Sequence, residues 1–93
     1  MNSANEPDTE TLFEFPCSFP IKVMGLHEAD FEATVVAMIS GHVGAIPAEN
    51  VRSRESRNGR YLSVTVTVTA ESREQLDNLY RTLTASEQVL FVL

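Results

Sequence analysis

Four of the seven basic residues of this 93-residue chain fall within nine positions, Arg52, Arg54, Arg57 and Arg60, with Glu55 the lone acid among them. Several guanidinium groups on one short segment can grip phosphates or the carboxylates of an acidic protein. The same charges on the edge of a sheet would also serve solubility, by discouraging pairing with another chain. A third use is internal, with the chain's own acidic N-terminal segment folded over them. A second grouping is Lys22, Tyr61 and Ser63, which could hold an anionic or polar partner if neighbouring strands bring them to one face. Gly25, at the end of the segment carrying Lys22, would allow a ligand close to the backbone.

Other chemistries lack their residues. His27 and His42 are far apart and Cys17 is the only cysteine, so neither a metal site nor an internal disulfide is expected. Cys17 lies between Pro16 and Ser18 with no adjacent base to favour its thiolate, and reads as an inert thiol. His42 reads as a helix-end residue facing the negative end of the dipole. A glycine-rich phosphate loop, a nucleophile elbow and a carboxylate pair are all missing. The sequence argues against an enzyme and calls for no cofactor.

The elements that must position these residues follow from periodicity. Arg60–Thr69 alternates without a break, with Leu62, Val64, Val66 and Val68 on one face and Tyr61, Ser63, Thr65, Thr67 and Thr69 on the other. That is a half-buried strand, and its β-branched side chains suit a pleated surface. An earlier strand spans Phe19–Gly25, with Lys22 and Met24 sharing the face opposite Phe19, Ile21 and Val23. A polar edge strand spans 48–56, followed by an Asn58-Gly59 hairpin signal, since both residues tolerate positive φ. Val89–Leu93 makes a last strand, apolar on both faces. One set of its side chains must be covered by the N-terminal arm or by a second chain.

Two helices separate these strands. Phe31, Val35, Met38, Ile39 and His42 share a face over 29–42, with Asp30 and Glu32 in the first turn. Leu76, Leu79, Tyr80 and Leu83 do the same over 72–84, where Ser72 and Gln75 form a capping box. The order strand, helix, strand, strand, helix, strand predicts an α+β, ferredoxin-like βαββαβ sandwich. It should have an antiparallel sheet in the order 4-1-3-2 and both helices on one face. The helix-free face should carry Lys22, Met24, Arg52, Arg54, Tyr61, Ser63, Thr65 and Thr67, either as a binding surface or as a solvated one.

Composition limits the partners. The formal net charge is −6, which opposes generic attraction to nucleic acid or an anionic membrane. Residues 1–18 hold four acids and no base, whereas residues 19–93 hold nine acids against seven bases. Residues 1–11 are polar and acidic and read as a disordered tail ahead of a single domain over 12–93. Leu12, Phe13 and Phe15 should lie against that domain. An RNA-recognition module of this topology needs stacking aromatics on both central strands, and Tyr61 supplies only one. No apolar run reaches the length of a membrane span, the N-terminus lacks signal-peptide features, and a lone cysteine fits a reducing compartment. The expected location is cytoplasmic.

The segments Leu12-Phe13-Glu14-Phe15-Pro16, Phe19–Gly25, Gly59–Val64, Leu79-Tyr80 and the Val-Leu terminus resemble the small bacterial YbeD family over about residues 12–93. The resemblance implies an ACT-like ferredoxin fold, and a family member is tied to regulation of lipoate metabolism. ACT domains bind amino acids near the first strand–helix loop, often across a dimer interface, and the corresponding stretch is Gly25–Asp30. Glu28 and Asp30 depart from that pattern, because they occupy the positive helix end that a ligand carboxylate would use. The sequence reading is therefore a regulatory or binding module for a protein partner or small metabolite. Its candidate contacts are Lys22, Gly25, Arg52, Arg54, Tyr61 and Ser63. The alternative is self-association as a homodimer, through the open sheet face or the last strand.

Overall fold

The computed structural model describes residues 14–93. The expected tail over 1–11, and Leu12 and Phe13 of the arm, lie outside the described residues. Strand β3 (Tyr61–Ala70) is the centre of the architecture. Its even-numbered residues from Leu62 to Ala70 are buried and the intervening ones are half or fully exposed. On one side it pairs antiparallel with β1 (Cys17–Leu26), from Cys17 opposite Ala70 to Leu26 opposite Tyr61. On the other it pairs with β2 (Val51–Glu55). Strand β4 (Val89–Val92) pairs antiparallel with β1. The sheet order is β2-β3-β1-β4, which is β4-β1-β3-β2 from the opposite edge.

The buried face of this sheet meets two helices. Helix α1 (Phe31–Val43) inserts Phe31, Val35 and Ile39, and α2 (Arg73–Thr84) inserts Leu76, Leu79 and Leu83. With Ile21 and Val23 of β1 and the valines of β3 they form one apolar core, the main source of stability in a chain this size. The cap of α2 uses the expected Ser72 and Gln75 pair, with the return bond from Gln75 one residue before the N-cap. The Ser72 hydroxyl accepts from the Gln75 N–H at 3.1 Å, and the Gln75 side-chain oxygen accepts from the Glu71 N–H at 2.7 Å. The Gln75 amide also donates to the His42 carbonyl at 3.0 Å, and the His42 ring meets the Thr82 hydroxyl at 2.9 Å. These contacts lock the end of α1 to the flank of α2. His42 is thus a helix–helix tether as well as a last-turn residue.

Three expectations need correction. The strand expected over 48–56 is confined to Val51–Glu55, because Ala48–Asn50 closes into a 3-10 turn after Pro47. There the Asn50 N–H bonds to the Pro47 carbonyl at 2.9 Å, and the Asn50 side chain bonds to the Thr67 carbonyl at 3.1 Å. The β2–β3 connection is not a two-residue turn with two positive φ values. Ser56 and Tyr61 pair across a longer loop closed by Gly59 N–H to Ser56 carbonyl at 2.9 Å. Only Gly59 is left-handed, at φ 75, and the Asn58 side chain instead accepts from the Arg60 N–H at 3.0 Å.

The third correction concerns the last strand, which does not alternate simply. Its register shifts between Met24 and Gly25, so that Val89, not Leu90, lies opposite Gly25. As a result Val89 and Val92 both pack on the core, while Leu90, Phe91 and Leu93 are 53%, 46% and 65% exposed. The shift coincides with close packing around Gly25. The Gln88 carbonyl and the Phe31 ring occupy the space where a side chain at position 25 would stand. Gly25 is therefore required by close packing of the chain on itself.

Gly25→Ala should lower unfolding stability by about 1–3 kcal/mol through overpacking against a backbone carbonyl that cannot swing away. Gly41→Ala, on α1 with nothing near its added carbon, should raise stability by up to about 0.5 kcal/mol through helix propensity. Urea unfolding of both variants checks the pair, and equal stability of Gly25→Ala and the parent would contradict the close-packing account.

Candidate functional site

The helix-free face is laid out by the ladder in rows that cross the strands. Residues directly opposite in an antiparallel pair share a face, so Arg52 of β2, Thr65 of β3 and Lys22 of β1 form one row. Leu93 extends it, exchanging backbone hydrogen bonds with Lys22 at 2.8 and 3.3 Å. The next row is Arg54, Ser63, Met24 and Phe91. Beyond it Tyr61 lies opposite Leu26, with the Arg60 guanidinium 5.8 Å from the Tyr61 ring centroid.

Lys22, Arg52, Arg54, Tyr61 and Ser63 therefore share a face but not one cluster. Lys22 sits beside Thr65 and diagonally from Ser63, while Tyr61 stands two pairs further along the ladder. Gly25 is buried and walled in by Gln88 and Phe31, so its close approach is to the protein itself. The loop after it is tied to the hairpin, with His27 N–H bonded to the Arg60 carbonyl at 2.8 Å and the His27 ring to the Gly59 carbonyl at 3.1 Å.

Two zones result. Toward β2 lies a polar zone with a cleft of about 300 Å³ lined by Pro20, Glu49, Asn50, Arg52, Thr65 and Thr67. Asn50 spends its amide N–H on the Thr67 carbonyl. Toward β4 lies an apolar zone of Met24, Leu26, Phe91 and Leu93, of which Leu26 is 44% exposed. Lys22, Arg52, Arg54, Arg57 and Arg60 make no ion pair among the described residues, where the ion pair formed is Arg73 with Asp77 at 3.8 Å. Unpaired cations of this kind can offer charge-assisted hydrogen bonds to an incoming anion.

Sequence reasoning did not anticipate Glu49, Asn50 and Pro20 at the cleft, nor Leu26 in the apolar zone, and it expected one set of last-strand side chains outside the core without fixing which. Glu49 and Asn50 are placed by the 3-10 turn, for which Pro47 was the available signal. Leu93 and Phe91 are placed by the β4 register shift, which depends on contacts distant in sequence. Among the described residues, no group of three or more His, Cys, Asp or Glu converges as metal ligands would, and no helix is long and apolar enough to cross a membrane.

Comparison with known proteins adds a family and a fold. A family model described as "Protein of unknown function (DUF493)" matches residues 10–93. A UPF0250 protein of Paraburkholderia phytofirmans is 46% identical over 93 residues, covering 100% of both chains. A UPF0250 protein of Chromobacterium violaceum is 44% identical over 86 residues, covering 92% of this chain and 97% of that one. In structure the chain is similar to protein HP0495 from H. pylori, with a TM-score of 0.76 at 15% identity, covering 100% of this chain and 94% of the other. It is also similar to the ACT domain from the GTP pyrophosphokinase of Chlorobium tepidum, with a TM-score of 0.51 at 14% identity, covering 82% and 94%. The α+β sheet-and-helix arrangement is thus that of an ACT-like ferredoxin fold, and the chain belongs to the DUF493 family, whose curated bacterial members carry the name UPF0250.

Proposed function

We propose that this protein is a non-enzymatic binding module, regulatory in role, whose helix-free sheet face receives an anionic ligand or an acidic partner. The observation that carries the reading is the placement of Lys22, Arg52 and Arg54 on one uncovered face, without ion pairs among the described residues, in a chain of net charge −6. Positive groups that pair with none of the carboxylates among the described residues can direct their charge to an incoming anion. The threonine hydroxyls and the cleft beside Arg52 supply polar groups of the kind that orient a ligand, and about 300 Å³ lies near the lower end of ligand-pocket volumes. Regulation is the role suggested by the ACT domain likeness, and lipoate belongs among the compounds to test. The proposal includes a cytoplasmic setting, in which Cys17 remains a thiol.

The test is a set of amide correlation spectra of the full chain against amino acids, lipoate and nucleotides. A ligand of this face should shift Lys22, Arg52, Ser63 and Thr65, and Lys22→Ala with Arg52→Ala should abolish the response. Because these side chains are exposed or unpaired, each alanine change should alter stability by no more than about 0.5 kcal/mol. Loss of binding would then report the site and not the fold. Binding that survives the double substitution would sink the sheet-face reading.

A second reading is favoured by the apolar zone, since clustered exposed apolar side chains at a sheet edge mark association surfaces. Self-association through Phe91, Leu93 and Leu26 should give a mass by light scattering that rises with concentration and returns to the monomer value in Phe91→Lys. A monomer mass at every concentration would remove it.

A further inference from the structure

Among the described residues strand β2 is a sheet edge, paired on one side only with β3, and its two faces are equipped differently. On the helix-free side it presents Arg52 and Arg54, two residues apart and without ion pairs among the described residues. On the helix side it borders an open groove of about 460 Å³ between β2 and α1, whose walls include Val36, Ala37, Ile46 and Val51. The acid at its rim, Glu32, already accepts the Ser53 hydroxyl at 2.5 Å. Between the two faces runs the edge itself, where alternate backbone N–H and C=O groups of β2 point away from β3.

We propose that this edge accepts an extended segment of a partner protein in which carboxylate side chains alternate with apolar ones. The segment adds to the sheet as a fifth strand, and its backbone bonds to β2. Residues two apart on a strand are about 6.4–6.8 Å apart and point the same way, which matches the spacing of Arg52 and Arg54. The intervening side chain, opposite Ser53, necessarily turns toward α1 and the apolar groove. Glu32 at the rim disfavours a further acid there, so the alternation itself is selected. The inference rests on the reading of Arg52 and Arg54 as ligand-facing, while the groove and the free edge are independent of it.

A second copy of this chain is a poor occupant of the same edge. Antiparallel pairing of β2 with itself sets the arginines of the two copies beside one another, and like charges facing across strands are destabilising. A nucleic acid strand cannot supply either the backbone bonds or the apolar side chain.

The probe is a capped synthetic peptide of about eight residues, long enough for one strand, alternating glutamate and valine. Controls replace glutamate with lysine, or valine with serine. With the labelled full chain, the glutamate–valine peptide should shift the amides of β2 and of Val36 and Ala37, and slow hydrogen exchange of the outward β2 amides. Arg52→Glu with Arg54→Glu should weaken it about tenfold or more. Ala37→Phe, at an exposed helix position, should weaken it by filling the groove. Both variants should keep the parent spectrum elsewhere, showing an intact fold. Equal binding of the lysine peptide, or no shift at millimolar peptide, would overturn the inference. So would shifts confined to Lys22 and Thr65 with no exchange protection of β2, an outcome that leaves the sheet-face reading standing and removes only strand addition.

Discussion

A four-stranded sheet covered by helices on one side forces every residue of its central strand into one of two environments. In β3 the choice alternates with each position, and little tolerance exists for a slip, because a shift of one residue would exchange the valines for the threonines. The core and the candidate site are therefore set by the same ten residues, Tyr61 to Ala70. Leu62, Val64, Val66 and Val68 hold the helices, and Tyr61, Ser63, Thr65 and Thr67 floor the open face. A change that disturbs the register alters stability and the binding surface together, so the informative variants are those on neighbouring strands, where only one function is at stake.

How far the sequence could be read follows from the range of the interactions involved. The alternation of β3, the periodicity of α2 and the Ser72–Gln75 cap are local, and they were legible as residues. The extent of β2 was less so, because Ala48–Asn50 is drawn into a 3-10 turn by a bond from Asn50 to Thr67 on the adjacent strand. The last strand was least legible. Five consecutive apolar residues carry no periodic signal, and its register shift coincides with the fit of Gln88 and Phe31 over Gly25, across more than sixty positions of sequence. For the site, membership of the open face followed from period two, but proximity did not. Lys22, Tyr61 and Ser63 needed a register, and the register separates Tyr61 from Lys22.

The two sheet edges divide the possibilities for contact. β4 ends in exposed apolar groups and has no charge in Val89–Leu93, so it lacks the usual protection of an edge strand. β2 carries Arg52, Arg54 and Glu55 in five residues and is protected against indiscriminate pairing. Protection by charge is also discrimination, since an edge that repels a cationic strand admits one whose charges complement it. The Arg60 and Tyr61 contact and the hydrogen bonds of His27 to Gly59 and Arg60 stiffen the hairpin that carries β2, so less ordering remains for a ligand to impose.

An acidic chain with a cationic face presents different fields at different distances. At separations up to the Debye length of about 8 Å at physiological salt, a polyanion spread over the surface meets the summed field of many groups, in which acids outnumber bases. On the proposed reading, a nucleic acid or an anionic bilayer, with charge spread over many groups, would gain little from Lys22, Arg52 and Arg54. A single carboxylate close to the sheet is within reach of those cations, where charge-assisted hydrogen bonds are short and strong. On the proposed reading, the net charge of −6 would act as a filter on the size and charge density of what docks. It favours an isolated or regularly spaced acid over a continuous anionic surface, and this selectivity requires no residue beyond those already on the face.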